Sequence, residues 1–170
     1  MINSTEPTIA ATDKQVVITR VFDAPRELVF RAWANPDHLM RWFAPRGCTL
    51  HISKMDFRPG GSLLTCISNP KFGDCWCKSV YHEIIVPERI VCTMAIIDAE
   101  GNSIEPAAVG HDPEWPRETT LTVTFAEDHG KTKLTLNQTV SESLAKRTGA
   151  YPSWIQMLDR LAEELTKTHS

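Results

Sequence analysis

The chain has no long run of Lys or Arg, and its formal net charge is −3. Binding nucleic acid by neutralising phosphates needs a basic density that is missing here. No stretch approaches the roughly 20 apolar residues that a bilayer-spanning helix requires. The opening residues MINSTEPTIAATDKQ lack a basic segment followed by an apolar run, so they do not read as a secretory signal. The expected location is cytoplasmic. The sequence also has no G-x-S-x-G, H-E-x-x-H, P-loop or G-x-G-x-x-G motif, and no Ser/His/Asp grouping stands out. Those absences still leave room for an enzyme that uses one or two cavity residues. Cysteine is sparse and odd in number, with five residues at 48, 66, 75, 77 and 92. Structural zinc sites space paired cysteines more widely and add a second ligand pair. Here Cys75 and Cys77 are one residue apart with no second pair, and no C-x-x-C redox motif occurs. The five read as free buried thiols, which behave as small hydrophobes in a reducing compartment. No metal and no cofactor is expected.

What the chain does contain is an ordinary globular composition. Its 170 residues are 42% apolar and 23% charged, enough for one domain with a sizeable core. The expected organisation is a flexible arm over 1–13 and a single domain over 14–168. KQVVITRVFDAP alternates and reads as a first strand. DAPRELVFRAWAN offers Asp23 as an N-cap and Pro25 in the first turn, with Leu28, Val29, Ala32 and Trp33 at helical spacing. Asn35-Pro36 breaks that helix and starts a second short one, PDHLMRWF. From there to about residue 140 the period falls to two. Six strands follow, with turns at Arg58-Pro59-Gly60-Gly61, at NPKFGD and at DHG. The RPGG turn is not a phosphate loop, because no helix follows it. AEGNSIEPAAVGHDPEWPR interrupts the strands as a Pro- and Gly-rich surface loop. A terminal helix hesitates at Gly149, then carries Trp154, Met157, Leu158, Leu161 and Leu165 as an apolar stripe. The expected class is α+β: a seven-stranded antiparallel sheet with the long C-terminal helix covering one face, and two short helices after strand 1.

That order carries particular words: TRVFDAPRELVFRAWANPDHLMRWFAP at 19–45, DFRPGGSL at 56–63, YHEIIVPERIV at 81–91, TLTVTFAED at 120–128 and the W…LDRLAEEL ending. Together they resemble the START-like (SRPBCC) superfamily, and within it the branch named for homology to the activator of the heat-shock-protein-90 ATPase. The resemblance runs from about residue 15 to 167. It implies a helix-grip fold with a cavity between sheet and terminal helix that often takes an apolar small molecule. Related branches include lipid carriers, hormone receptors and polyketide aromatase/cyclases. The long loop at 99–117 and the sulfur-rich strand at 75–77 depart from the branch's pattern.

Alternation supplies candidates for the cavity wall. Met55 and Phe57 mark one face of their strand as inward, which carries His51 and Ser53 with them. Leu63, Thr65 and Ile67 follow on the next strand, Cys92 and Met94 on a later one, then Thr119, Leu121 and Gln138. Trp154, Met157 and Leu158 face them from the helix. A mainly apolar wall with a few polar groups is the usual small-molecule site. His51 is the weak catalytic candidate, since histidine titrates near neutrality. In GDCWCKSVYHE, Cys75, Cys77, Ser79 and Tyr81 share one strand face, whereas Trp76, Val80 and His82 share the other. His82 therefore does not join the thiols, and the pattern leaves open which face looks inward. Tyr81 is included as a cavity group. Trp33, Trp42, Phe43 and Trp154 either wall a pocket or pack the helices, and packing is the expectation. The loop group HDPEW reads as a rim or lid, with Trp115 turned inward.

Three functions follow. The first is binding of a small apolar or aromatic molecule, driven by apolar burial at roughly 25 cal/mol per Å² before ordering costs. The second is a cyclase- or hydrolase-like enzyme with His51 as acid–base and Thr65, Tyr81 or Gln138 as orienting groups. The third is a module that stimulates a chaperone ATPase, ranked lower because the extra N-terminal domain of a full co-chaperone is not seen. An exposed sheet edge would allow a homodimer. No nucleic acid and no membrane is expected as partner.

Overall fold

The computed structural model describes residues 14–71 and 73–169. The arm expected over 1–13 lies outside the described residues. The elements run β1 (Gln15–Phe22), α1 (Arg26–Ala34), α2 (Pro36–Trp42), β2 (Thr49–Met55), β3 (Ser62–Asn69), β4 (Gly73–Ile85) and β5 (Arg89–Ile97). A short 3-10 turn (Pro106–Val109) follows, then β6 (Glu118–Asp128), β7 (Lys131–Ser141), α3 (Glu142–Thr148) and α4 (Ala150–His169). All seven strands form one antiparallel sheet in the order β1-β7-β6-β5-β4-β3-β2. This is the helix-grip α+β arrangement that the pattern of elements predicts. Strands β2 to β7 pair with their chain neighbours, while β1 crosses by way of α1 and α2 to close against β7.

Local chemistry sets the element ends. Asn35 caps α2, its side chain accepting from the backbone N–H of Asp37 at 2.9 Å and His38 at 3.3 Å. The expected Asp23 cap of α1 is not found. The cap position is Pro25, which is extended and has no side-chain acceptor to offer. The hesitation at Gly149 is a full break: its φ of 90° ends α3 in the left-handed conformation that favours glycine, and α4 starts at once. The β6–β7 hairpin turns on His129 and Gly130, both at positive φ, the backbone that suits a two-residue hairpin.

Directly paired residues share a face of the sheet. Leu63, Ser79, Met94 and Thr119 therefore form one inward row, and Tyr81, Cys92, Leu121 and Gln138 the next. Val123, Leu134 and Leu136 of the sheet are fully buried, as are Leu158 and Leu161 of α4. An aromatic cluster fills one end. Trp33 meets Trp42 with centroids 4.7 Å apart, Phe43 meets Trp42 at 5.3 Å, and Phe43 reaches Trp154 at 5.8 Å.

The RPGG turn docks on β4: Gly60 N–H donates to the Tyr81 carbonyl at 2.7 Å, and Tyr81 N–H to the Gly61 carbonyl at 3.0 Å. A Cβ on Gly61 would lie 2.0 Å from the Asp56 carbonyl oxygen, whereas one on Gly60 meets open space. Gly61→Ala is expected to cost about 1–3 kcal/mol in urea unfolding through that clash, and Gly60→Ala is destabilising for a different reason, its positive φ of 85°. A loss below about 0.5 kcal/mol for Gly61→Ala would show that the Asp56 carbonyl moves aside freely.

Candidate functional site

Where β3, β4 and β5 curve away from the first half of α4, packing leaves a cavity of about 560 Å³. Its sheet wall includes Ile67, Cys75, Cys77, Met94, Ile96 and Thr119, and its helix wall Ala150, Ser153, Trp154 and Met157. The loop between β5 and β6 supplies His111, Asp112, Trp115 and Arg117, and the α2–β2 loop supplies Pro45, Arg46 and Cys48.

Among the sequence-derived candidates, Ile67, Met94, Thr119, Gln138, Trp154 and Met157 border this space, and so does Trp115. Leu63, Tyr81, Cys92 and Leu121 border instead a small void of about 30 Å³ beside Trp33 and Phe43, and Met94 borders both spaces. Thr65 and Leu158 are buried outside both linings. Met55 packs against the core.

His51 and Ser53 require a correction. Both are exposed, and Leu50 and Ile52 are the more buried residues of that stretch. The cause is a bulge between Ile52 and Lys54, where the β2–β3 register slips. A one-residue slip reverses which side chains face inward. Counting backwards from Met55 therefore lands on the wrong face. His51 borders neither the cavity nor the small void, so the acid–base role sketched for it is not supported by their geometry.

The open question at β4 resolves in favour of sulfur. Cys75 pairs across from inward Ile67, and Cys77 across from Thr65 and Ile96, so the cysteine face looks into the cavity. His82 is on the opposite face, within 3.1 Å of the Thr93 hydroxyl. The histidine that does reach the thiols comes from the loop, with His111 Nε2 3.6 Å from Cys75 Sγ. Burial pushes the Cys75 thiol up and holds the His111 imidazole below its ordinary value. Burial, with the sulfurs of Cys75 and Cys92 beside it, pushes Cys77 up to about 12. Cys75 and His111 were visible in the sequence, but nothing there joined them: the loop has no periodicity to say where it folds back.

Polar groups at the cavity floor are tied to one another. Trp154 Nε1–H donates to Gln138 Oε1 at 2.9 Å, and Gln138 Nε2–H donates to Thr119 Oγ1 at 3.1 Å, all buried. The Thr119 hydroxyl keeps a hydrogen to donate. Trp154→Phe leaves the Gln138 carbonyl oxygen without its donor and is expected to cost about 1–3 kcal/mol by thermal or urea unfolding. A loss below about 0.5 kcal/mol would mean that water takes the indole's place. At the rim, Arg147 of α3 holds the loop through Asp112 at 3.4 Å and Glu114 at 3.0 Å. Arg46 meets Glu163 of α4 at 2.5 Å. Among the described residues no group of three or more His, Cys, Asp or Glu is placed to hold a metal ion, and no helix is long and apolar enough to cross a membrane.

Comparison with known proteins follows this geometry. No match was found among curated proteins. Several solved structures share the fold. A Chromobacterium violaceum protein is 24% identical over 89% of this chain and 96% of its own, with a TM-score of 0.72. An Arthrobacter aurescens protein is 17% identical over 89% of this chain and 85% of its own, at TM-score 0.76. The AHSA1 protein of Silicibacter pomeroyi is 16% identical over 92% of this chain and all (100%) of its own, at TM-score 0.71. At these identities the likeness is one of fold. A family profile described as "Activator of Hsp90 ATPase homolog 1-like protein" matches residues 23–166, and the chain belongs to that family.

Proposed function

We propose that the protein binds a small hydrophobic or aromatic molecule in the cavity between the sheet and α4. The observation that carries this reading is the cavity of about 560 Å³, a size typical of small-molecule sites and walled mainly by apolar side chains. The helix-grip family commonly encloses such a space, which supports the reading without naming a ligand. Trp154, Met157, Met94 and Ile67 offer aromatic, thioether and aliphatic surface. Thr119 and Ser153 offer hydroxyls that fix orientation. A ligand hiding about 300 Å² of apolar surface gains about 7.5 kcal/mol before ordering costs, less than the roughly 8.2 kcal/mol that micromolar binding requires, so apolar burial alone gives weak binding and hydrogen bonds to the ligand must add to it.

Native mass spectrometry of the protein as purified, compared with the same sample after denaturing extraction, tests the reading directly. A small organic species carried by the native protein and released on denaturation is the expected result. An unloaded protein that also fails to take up the neutral fluorescent probe N-phenyl-naphthylamine would overturn it.

Loop 98–117 serves in this reading as a lid, with its own Trp115 and His111 on the cavity wall and Arg147 as its latch. The Arg147 pairs are solvent-exposed and screened by water and salt, so each contributes little to stability. Arg147→Ala is therefore expected to speed release of N-phenyl-naphthylamine by up to about fivefold in stopped-flow dilution, with little change in Tm. Unchanged release kinetics would remove the loop from the entry path.

A further inference from the structure

Reversible binding leaves one feature of the cavity unused. Cys75 Sγ and His111 Nε2 lie 3.6 Å apart, both at the cavity wall, and they come from elements 36 residues apart in the chain. Cys75 stands half-buried on the inward face of β4. His111 is held by its surroundings: its backbone N–H donates to the Pro106 carbonyl at 3.0 Å, and the next residue, Asp112, is fixed by Arg147. A thiol within reach of an imidazole is the arrangement that activates a cysteine nucleophile. Cys77 and Cys92 differ. Burial pushes both of their thiols up to about 12, and neither contacts an imidazole among the described residues.

We propose that Cys75, with His111 as its base, adds covalently to apolar α,β-unsaturated carbonyl compounds that enter the cavity. The proposal rests on the binding reading, because the apolar wall is what brings such a compound to the sulfur. Nε2 takes the thiol proton, and a sulfur electron pair forms the bond to the β-carbon. The carbon–carbon π pair moves onto the α-carbon and carbonyl oxygen as an enolate, and His111 returns the proton to the α-carbon. An S–H bond and a π bond are lost; an S–C bond and a C–H bond are gained. No leaving group departs and no external oxidant or reductant takes part. Burial keeps both the thiol and the imidazole neutral at rest. An addition that begins and ends with neutral partners suits that setting better than chemistry needing a standing thiolate.

The test is a time course of the protein with benzylideneacetone, followed by intact-mass spectrometry and peptide mapping. One adduct per chain, located at Cys75, is expected. Cys75→Ser abolishes it, and His111→Gln slows it by about 100-fold. Circular dichroism melting checks that each variant folds, and His111→Asn replaces the Gln variant if that one does not. Benzylacetone, the saturated analogue, serves as the reversible control by displacing N-phenyl-naphthylamine. Modification of Cys48 at an equal rate, or an unchanged rate in His111→Gln, overturns the proposal. Displacement by benzylacetone without any adduct overturns this inference and leaves the binding reading standing. No displacement and no adduct sinks both.

Discussion

Trp42→Ala is expected to lower the unfolding free energy by about 3–5 kcal/mol, a large part of the roughly 5–15 kcal/mol that holds a domain of this kind together. Three losses add up at this one residue. Its side chain is fully buried, so truncation forfeits the transfer energy of an indole and leaves a hole that α1 and α4 must close. Its ring stands edge-on to Trp33 and Phe43, contacts that contribute beyond area alone. Its Nε1–H donates to the Ala32 carbonyl at 3.0 Å, one of the carbonyls at the end of α1 that no helical N–H can reach. Trp42→Phe keeps a ring and drops the donor, so about 1–3 kcal/mol is expected. Urea unfolding followed by circular dichroism measures both, with the slope m unchanged if the native state stays intact. A loss below about 1 kcal/mol for the alanine variant would mean that the two short helices contribute little to the fold's stability.

The same residue shows how far the sequence can be read. Trp33 follows Leu28, Val29 and Ala32 at helical spacing, and Trp42 shares one side of the next helix with Leu39 and Phe43 across the Asn35-Pro36 break, so two short helices and their apolar faces are visible without coordinates. Seven strands and a terminal helix follow from alternation, from glycine turns and from the stripe beginning at Trp154. The site is less legible, and for two physical reasons. A bulge at Ser53 resets the phase of β2, and period-two counting carries no mark of it. The loop from 98 to 117 has no period at all, so the approach of His111 to Cys75 depends on tertiary folding alone. Register did hold one clue. Once Ile67 is placed inward, antiparallel pairing across the tight Asn69–Gly73 turn puts Cys75 inward as well. That step needs the turn length, and the Pro- and Gly-bearing segment NPKFGD admits more than one.

The decisive test of the cavity is to fill it. Ser153 lies on the cavity side of α4 and Cys77 on the facing strand. Each has a small side chain, and each is placed where added volume enters open space. Ser153→Trp and Cys77→Phe should therefore fold, because overpacking costs stability only where no space exists. A Tm within a few degrees of the parent is expected for both. N-phenyl-naphthylamine, in contrast, should lose at least about 100-fold in affinity, the equivalent of about 2.7 kcal/mol. Approaching from opposite walls separates the two explanations for any loss. A ligand lying between sheet and helix collides with both substitutions, whereas a probe held under the rim of the loop collides with at most one. If both variants bind the probe as the parent does, the binding site is elsewhere on the molecule. If only Ser153→Trp loses affinity, the ligand lies against α4 and never reaches the sulfur wall, and the chemistry assigned to Cys75 has no substrate.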